Sequence, residues 1–140
     1  MSKIAVVYWS GTGNTEAMAT AVLKGIIEMG GEGTVFTSAE FDASMIDSYD
    51  AIAFGCPSMG VEELEESEFA PMFAKCEAKL TGKRIALFGS YGWGDGEWMR
   101  NWEKLCKADN AVLVCDSVIC NEAPDDEAVK LCRNLGKALV

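Results

Sequence analysis

Ser10-Gly11-Thr12-Gly13-Asn14-Thr15 stands between an apolar run, Ile4 to Tyr8, and a stretch of helically spaced apolar residues, so the chain opens as strand, glycine loop and helix. In such a loop the glycines let backbone amides turn toward one point, the hydroxyls add donors, and the helix starting near Thr15 aims its positive dipole end there. A phosphate monoester suits the arrangement, and an ordinary glycine turn is the alternative for this loop alone. Two commoner nucleotide loops fit less well. A Walker-type loop ends in Gly-Lys-Ser/Thr, whereas Asn14 and Thr15 follow Gly13, and a Rossmann fingerprint needs a third small residue where Glu16 stands.

Apolar runs recur at Ile4 to Tyr8, Gly33 to Thr37, Ala51 to Cys56, Arg84 to Ser90 and Ala111 to Cys120. Helical patterns separate them. The first carries Met18, Val22, Ile26 and Met29 and closes at Gly30-Gly31; the second opens near Glu68 with Phe69, Phe73 and Cys76. A third runs through Trp98, Trp102, Leu105 and Cys106, and the last follows Pro124-Asp125-Asp126 with Ala128, Cys132, Leu135 and Leu139 inward. A short helix is expected between Phe41 and Tyr49. Strands apolar on both faces, alternating with helices, predict an α/β fold: one domain over 1–140, with a doubly wound, five-stranded parallel sheet. In such sheets ligands sit at the carboxyl ends of strands around a switch point, so the loops after the first, third and fourth strands should converge.

Composition excludes several chemistries. The chain has no histidine, which removes the commonest general base and metal ligand. Its six cysteines, at 56, 76, 106, 115, 120 and 132, form no Cys-x-x-Cys pair and read as buried reduced thiols. A phosphatase pattern fails too, because the position six past Cys56 is Glu62. Net charge is −10, which repels nucleic acid and anionic membranes and attracts basic proteins. No run reaches membrane-spanning length and Met1-Ser2-Lys3 leads directly into a strand, so a cytoplasmic protein is expected. The absence of an obvious exposed apolar stripe favours a monomer.

The other two loops are equally unusual. After the third strand comes Cys56-Pro57-Ser58-Met59-Gly60, in which the Gly60 peptide can invert cheaply. Met59 is either core filler or an apolar cover, and the acidic run Glu62, Glu63, Glu65, Glu66, Glu68 reads first as a solvated loop. After the fourth strand comes Ser90-Tyr91-Gly92-Trp93-Gly94-Asp95-Gly96, whose aromatics among glycines suggest a flat partner, unless Trp93 folds back on its own helix. Together the three loops describe a slot for a planar ring with a phosphate tail, as in flavin mononucleotide (FMN).

Across essentially its whole length the chain resembles the short-chain flavodoxins of the clostridial type, through Tyr8-Trp9-Ser10-Gly11-Thr12-Gly13-Asn14-Thr15-Glu16 and Leu87-Phe88-Gly89-Ser90-Tyr91-Gly92-Trp93-Gly94-Asp95-Gly96. The resemblance implies strand order 2-1-3-4-5, the doubly wound arrangement of which flavodoxin is itself the standard example. It further implies that Ser10 to Thr15, helped by Ser90, take the FMN phosphate, that Trp93 stacks on one ring face and that Met59 covers the other. By the same likeness Ser58 and Tyr91 join the site, the Gly60 carbonyl meets the flavin N5 proton, Glu62 accepts from N3, the Gly92 amide binds the pyrimidine edge and Asn121 closes the rim. Val61 departs from the family, standing where an acidic or polar residue is often found.

The implied function is a low-potential carrier of single electrons, cycling between semiquinone and hydroquinone and serving basic redox partner proteins. A flipped Gly60 carbonyl favours the neutral radical by about 1 kcal/mol. The second electron makes an anion near a phosphate and several glutamates; one such charge at about 10 Å, with a dielectric near 20, costs about 1.7 kcal/mol. A flavin-dependent quinone or nitro reductase on the same fold is the alternative, although 140 residues with short loops leave little material for a substrate pocket. A phosphoryl-accepting receiver domain would want an aspartate where Gly55-Cys56-Pro57 stands.

Overall fold

In a computed structural model that describes residues 2–140, four strands pair in parallel: β1 (Lys3–Tyr8), β2 (Glu32–Thr37), β3 (Ala51–Gly55) and β4 (Arg84–Tyr91). β1 lies between β2 and β3, and β4 follows β3. The fifth strand comes in two pieces, β5 (Val112–Leu113) and β6 (Val118–Asn121), both paired with β4. The order is therefore 2-1-3-4-5, as expected. The expected continuous run from Ala111 to Cys120 is interrupted, however. Between the Ile85–Leu113 and Phe88–Val118 pairs β4 advances three residues and its neighbour five, so two residues bulge out. An outer strand with a single neighbour tolerates such a bulge.

Alternation along the inner strands sorts the core into two layers. Ala5, Val7, Ile52, Phe54, Ile85 and Leu87 face α2 (Phe69–Cys76) and α3 (Glu97–Ala108). Ile4, Val6, Ala51, Ala53, Ala86 and Phe88 face α1 (Asn14–Glu28) and α4 (Asp126–Leu139). The first layer is aromatic, with Phe54, Phe69 and Trp102 packed around Phe73 at centroid distances of 5.1, 6.1 and 5.6 Å. The second is thin. A Cβ on Gly25 would lie 1.9 Å from the Arg133 carbonyl oxygen, and one on Gly136 2.1 Å from that of Val22, so only glycine lets α1 and α4 meet backbone to backbone. A short 3₁₀ helix over Ala43–Ser48 fills the expected place between Phe41 and Tyr49.

Three sequence expectations need correction. β2 is not buried on both faces: it is the outer strand, and only Gly33 and Phe36 are even half-buried. Met29 and Leu105 fit the helical stripes but are 58% and 38% exposed, because Met29 lies just past the end of α1 and Leu105 at the margin of the covered face of α3. Glu65 belongs to no solvated run, being only 5% exposed. Its carboxylate accepts from the amides of Ser67, Glu68 and Phe69 at 2.8, 2.8 and 2.9 Å and from the Ser67 hydroxyl, which satisfies the first amide of α2 and the two that lead into it. Among the described residues, no helix is long and apolar enough to cross a membrane.

Burial alone would raise the Glu65 pKa, but these donors outweigh it and hold the carboxyl down at about 2. A lowered native value contributes stability above the unfolded pKa, near 4.5, and that stability is lost as pH falls toward 2. Glu65→Ala is therefore expected to destabilise the protein at pH 7 by roughly 1–3 kcal/mol. Urea melts at pH 7 and pH 3 should show a smaller pH dependence for the variant than for the parent, and equal dependence would remove Glu65 from the acid response.

Candidate functional site

β1, β3 and β4 end at one edge of the sheet, because register sets Tyr8 beside Gly55 and Gly55 beside Phe88. The three connections leaving these ends are neighbours for that reason. In the first, the Gly13 amide donates to Ser10 Oγ at 3.1 Å, and Gly13 takes a left-handed φ of 97° just ahead of α1. No side chain caps this helix. Among the described residues, the amides of Gly11, Thr12, Asn14 and Thr15 donate to no protein acceptor, so several donors stand free at the positive end of a fifteen-residue helix.

Hydrogen bonds stitch this loop to the others. Buried Thr15 Oγ1 and Ser90 Oγ share a hydrogen bond of 3.0 Å, and the Ser58 amide donates to the Ser90 carbonyl at 2.9 Å. Met59 and Glu63 exchange two backbone hydrogen bonds of 2.8 Å, which close a tight turn over Gly60, Val61 and Glu62. Gly60 has φ 55° and Glu62 φ 49°, while Val61 at the tip is 79% exposed. Glu62 Oε1 accepts from the Glu97 amide at 3.1 Å, tying the turn to the start of α3. The Trp98 indole donates to the Cys56 carbonyl at 3.2 Å and packs on Tyr91 at 5.6 Å, so α3 also anchors the root of the second loop.

A cleft of about 200 Å³ lies where the loops meet. It is lined by Gly11, Thr12, Asn14, Ser58, Met59, Ser90, Tyr91 and Gly92, eight of the fifteen residues expected from the sequence. Ser10 and Gly13 line an adjoining cavity, and Thr15 lies beneath the loop. Gly60 lines a third cavity with Met59, and the Glu62 carboxylate is occupied at α3. Trp93 is 60% exposed outside the cleft wall, and Asn121 donates to the Tyr91 carbonyl at 3.4 Å without lining the cleft.

Trp9, Pro57 and Glu122 complete the wall, and none was among the expected site residues. Trp9 had a signal in the sequence: it is a bulky aromatic at the seam of strand and glycine loop, and its ring lies 3.0 Å from where a Gly11 Cβ would be. Glu122 had none, since only its backbone, with φ 59° and an amide bonded to the Tyr91 carbonyl at 2.8 Å, carries it to the site.

The donor set fits a phosphate held by amides and hydroxyls, for no lysine or arginine lines either cavity around the first loop. Trp9, Met59 and Tyr91 supply apolar surface for a planar ring. Burial pushes the Cys56 thiol up to about 12, which leaves no thiolate nucleophile at the base of the second loop.

Comparison with known proteins decides the family. The sequence model of the family described as Flavodoxin matches residues 6–136. The chain belongs to the flavodoxin family. It is 44% identical to flavodoxins of Clostridium beijerinckii and Megasphaera elsdenii, with 96% of each chain covered in both comparisons. The solution structure of two-electron reduced Megasphaera elsdenii flavodoxin superposes with a TM-score of 0.90 at 41% identity, covering 97% of both chains. The short-chain, clostridial resemblance is thereby borne out, as is the flavodoxin-like sheet. Flavodoxins bind FMN and are electron carriers rather than enzymes, and this flavodoxin is a flavin-bound electron-transfer protein.

The buried Thr15–Ser90 hydroxyl pair joins two loops beneath the cleft. Thr15→Val and Ser90→Ala should each cost about 1–3 kcal/mol, because each leaves a buried partner unsatisfied. The double variant should lose less than the sum of the two in chemical denaturation. Strict additivity would show that the pair does not couple the loops.

Proposed function

We propose that the protein carries single electrons on FMN at low potential, using the couple between semiquinone and hydroquinone, and that it does so in the cytoplasm, as a monomer, between basic redox proteins. The observation that carries this reading is the set of free amides at Gly11, Thr12 and Asn14, which line a cleft walled by Met59, Tyr91 and Gly92. Bound FMN supplies the redox chemistry, and everything else is done by the chain.

Ser10 to Thr15 hold the phosphate by amides and hydroxyls, with Ser90 and Ser58 bracing the loop from the side. Met59 covers one face of the ring and Trp93 the other; Trp93 lies exposed among glycines, which leaves it free to close. Gly92 offers its amide to the pyrimidine edge, with Tyr91, Glu62 and Asn121 around it. Gly60 holds a carbonyl for the N5 proton. Its turn is pinned at both ends by the Met59–Glu63 bonds, so a peptide inside it can invert without disturbing the flanks. Nothing stands within 4 Å of where a Cβ on Gly60 would lie, so its left-handed φ, rather than crowding, is what demands glycine.

Electrostatics supports a strongly reducing couple. The phosphate has no basic side chain beside it, and the exposed Glu63 and Glu66 stand on the neighbouring segment. Glu65 and Glu62 add less, since each carboxylate is already met by backbone amides. Net charge of −10 gives basic partners their attraction. A flavin-dependent quinone or nitro reductase is the weaker reading.

The purified protein is expected to be yellow, or to take up FMN one to one as apoprotein, and not to oxidise NADH in steady state; a colourless protein that ignores FMN ends the proposal. Replacing Gly60 by Val should lower the radical yield in a reductive titration followed optically, and an unchanged yield would take the turn out of the mechanism. Trp93→Ala should weaken FMN binding about tenfold, about 1.4 kcal/mol, and relieve flavin fluorescence quenching.

A further inference from the structure

Between the Glu62–Glu66 segment and α3 runs a second groove, of about 320 Å³, separate from the cofactor cleft. Leu64, Ala70, Trp102 and Leu105 give it apolar walls, Glu62, Glu63 and Glu66 edge it, and no lysine or arginine lines it. Trp98, Trp102 and Cys106 on α3 are buried, whereas Leu105 beside them remains 38% exposed in the groove. None of the three glutamates is ion-paired among the described residues, and Arg100 on the same helix is held by Asp95 at 2.9 Å.

We propose that this groove seats an apolar side chain flanked by lysines or arginines on a redox partner protein, beside the cofactor cleft rather than over it. The inference rests on the reading that partners are basic and adds where they dock. Charge and shape divide the work: the acidic edge steers a cationic segment and weakens with salt, while the apolar floor gives contact that salt does not screen. Glu62 and Glu63 serve both features, since they edge the groove and also belong to the turn that carries Met59 and Gly60. A partner seated here rests directly against the turn that frames the cofactor.

The test uses the FMN-loaded, ¹⁵N-labelled protein and a synthetic peptide of alternating leucine and lysine, with a leucine–glutamate peptide as control. The Trp102 indole N–H is a suitable reporter, being buried without an acceptor among the described residues. Saturable shifts of that indole and of the amides at Asn101 and Leu105 are expected with the lysine peptide alone. Leu105→Asn should weaken binding about tenfold with the flavin spectrum unchanged, and Asn101→Arg, at an exposed position, should do the same by repulsion. Shifts confined to Met59, Gly60 and Trp93, or full binding by both variants, would overturn the groove while leaving basic partners intact. Equal binding of the two peptides, or none by the lysine peptide, would overturn the basic-partner reading itself.

Discussion

Burial of both faces of β1, β3 and β4 is the constraint on which the rest of this flavodoxin depends. Every residue of β3, and every residue of β1 after Lys3, is buried, so helices must cover the sheet on both sides and the connecting loops are pushed out at its edges. Parallel register then brings the carboxyl ends of these strands together. A cofactor cleft at that edge follows from packing before any side chain in a loop is considered.

The loops are not left to find one another. Thr15 meets Ser90, the Ser58 amide meets the Ser90 carbonyl, Glu62 meets the start of α3, and Trp98 meets the Cys56 carbonyl. These contacts connect the first loop, the methionine turn and the aromatic loop within the protein itself. Donors at the first loop stay free while the loop's position is already held, which is how a site can be organised in advance and still have hydrogen bonds to offer.

Acidic side chains in this protein do three distinct jobs that composition alone runs together. Glu65 is structural, buried under the first amides of α2 with its pKa pulled down to about 2. Glu62 is a tether between two loops. Glu63 and Glu66 remain exposed on the groove beside α3, where their charge is available to a partner. A count of carboxylates in the 62–68 segment would assign all of them to one field.

By itself the sequence determined the strand and helix succession, the sheet order and the glycine loop ahead of α1, because these rest on local signals: period-two and period-3.6 patterns, a glycine loop at a strand end, and long matches to a known family. That Thr12, Met59 and Gly92 come to line one cleft is legible for the same reason, each lying in a loop whose composition is unlike an ordinary turn. Only the tertiary structure decided that β2 is exposed, that the fifth strand bulges, that Glu65 is buried, and that Trp9 and Glu122 wall the cleft. Each of those depends on which segment packs against which. Such non-local contacts leave no period or spacing in the chain, so they exist only once the sheet has brought distant residues side by side.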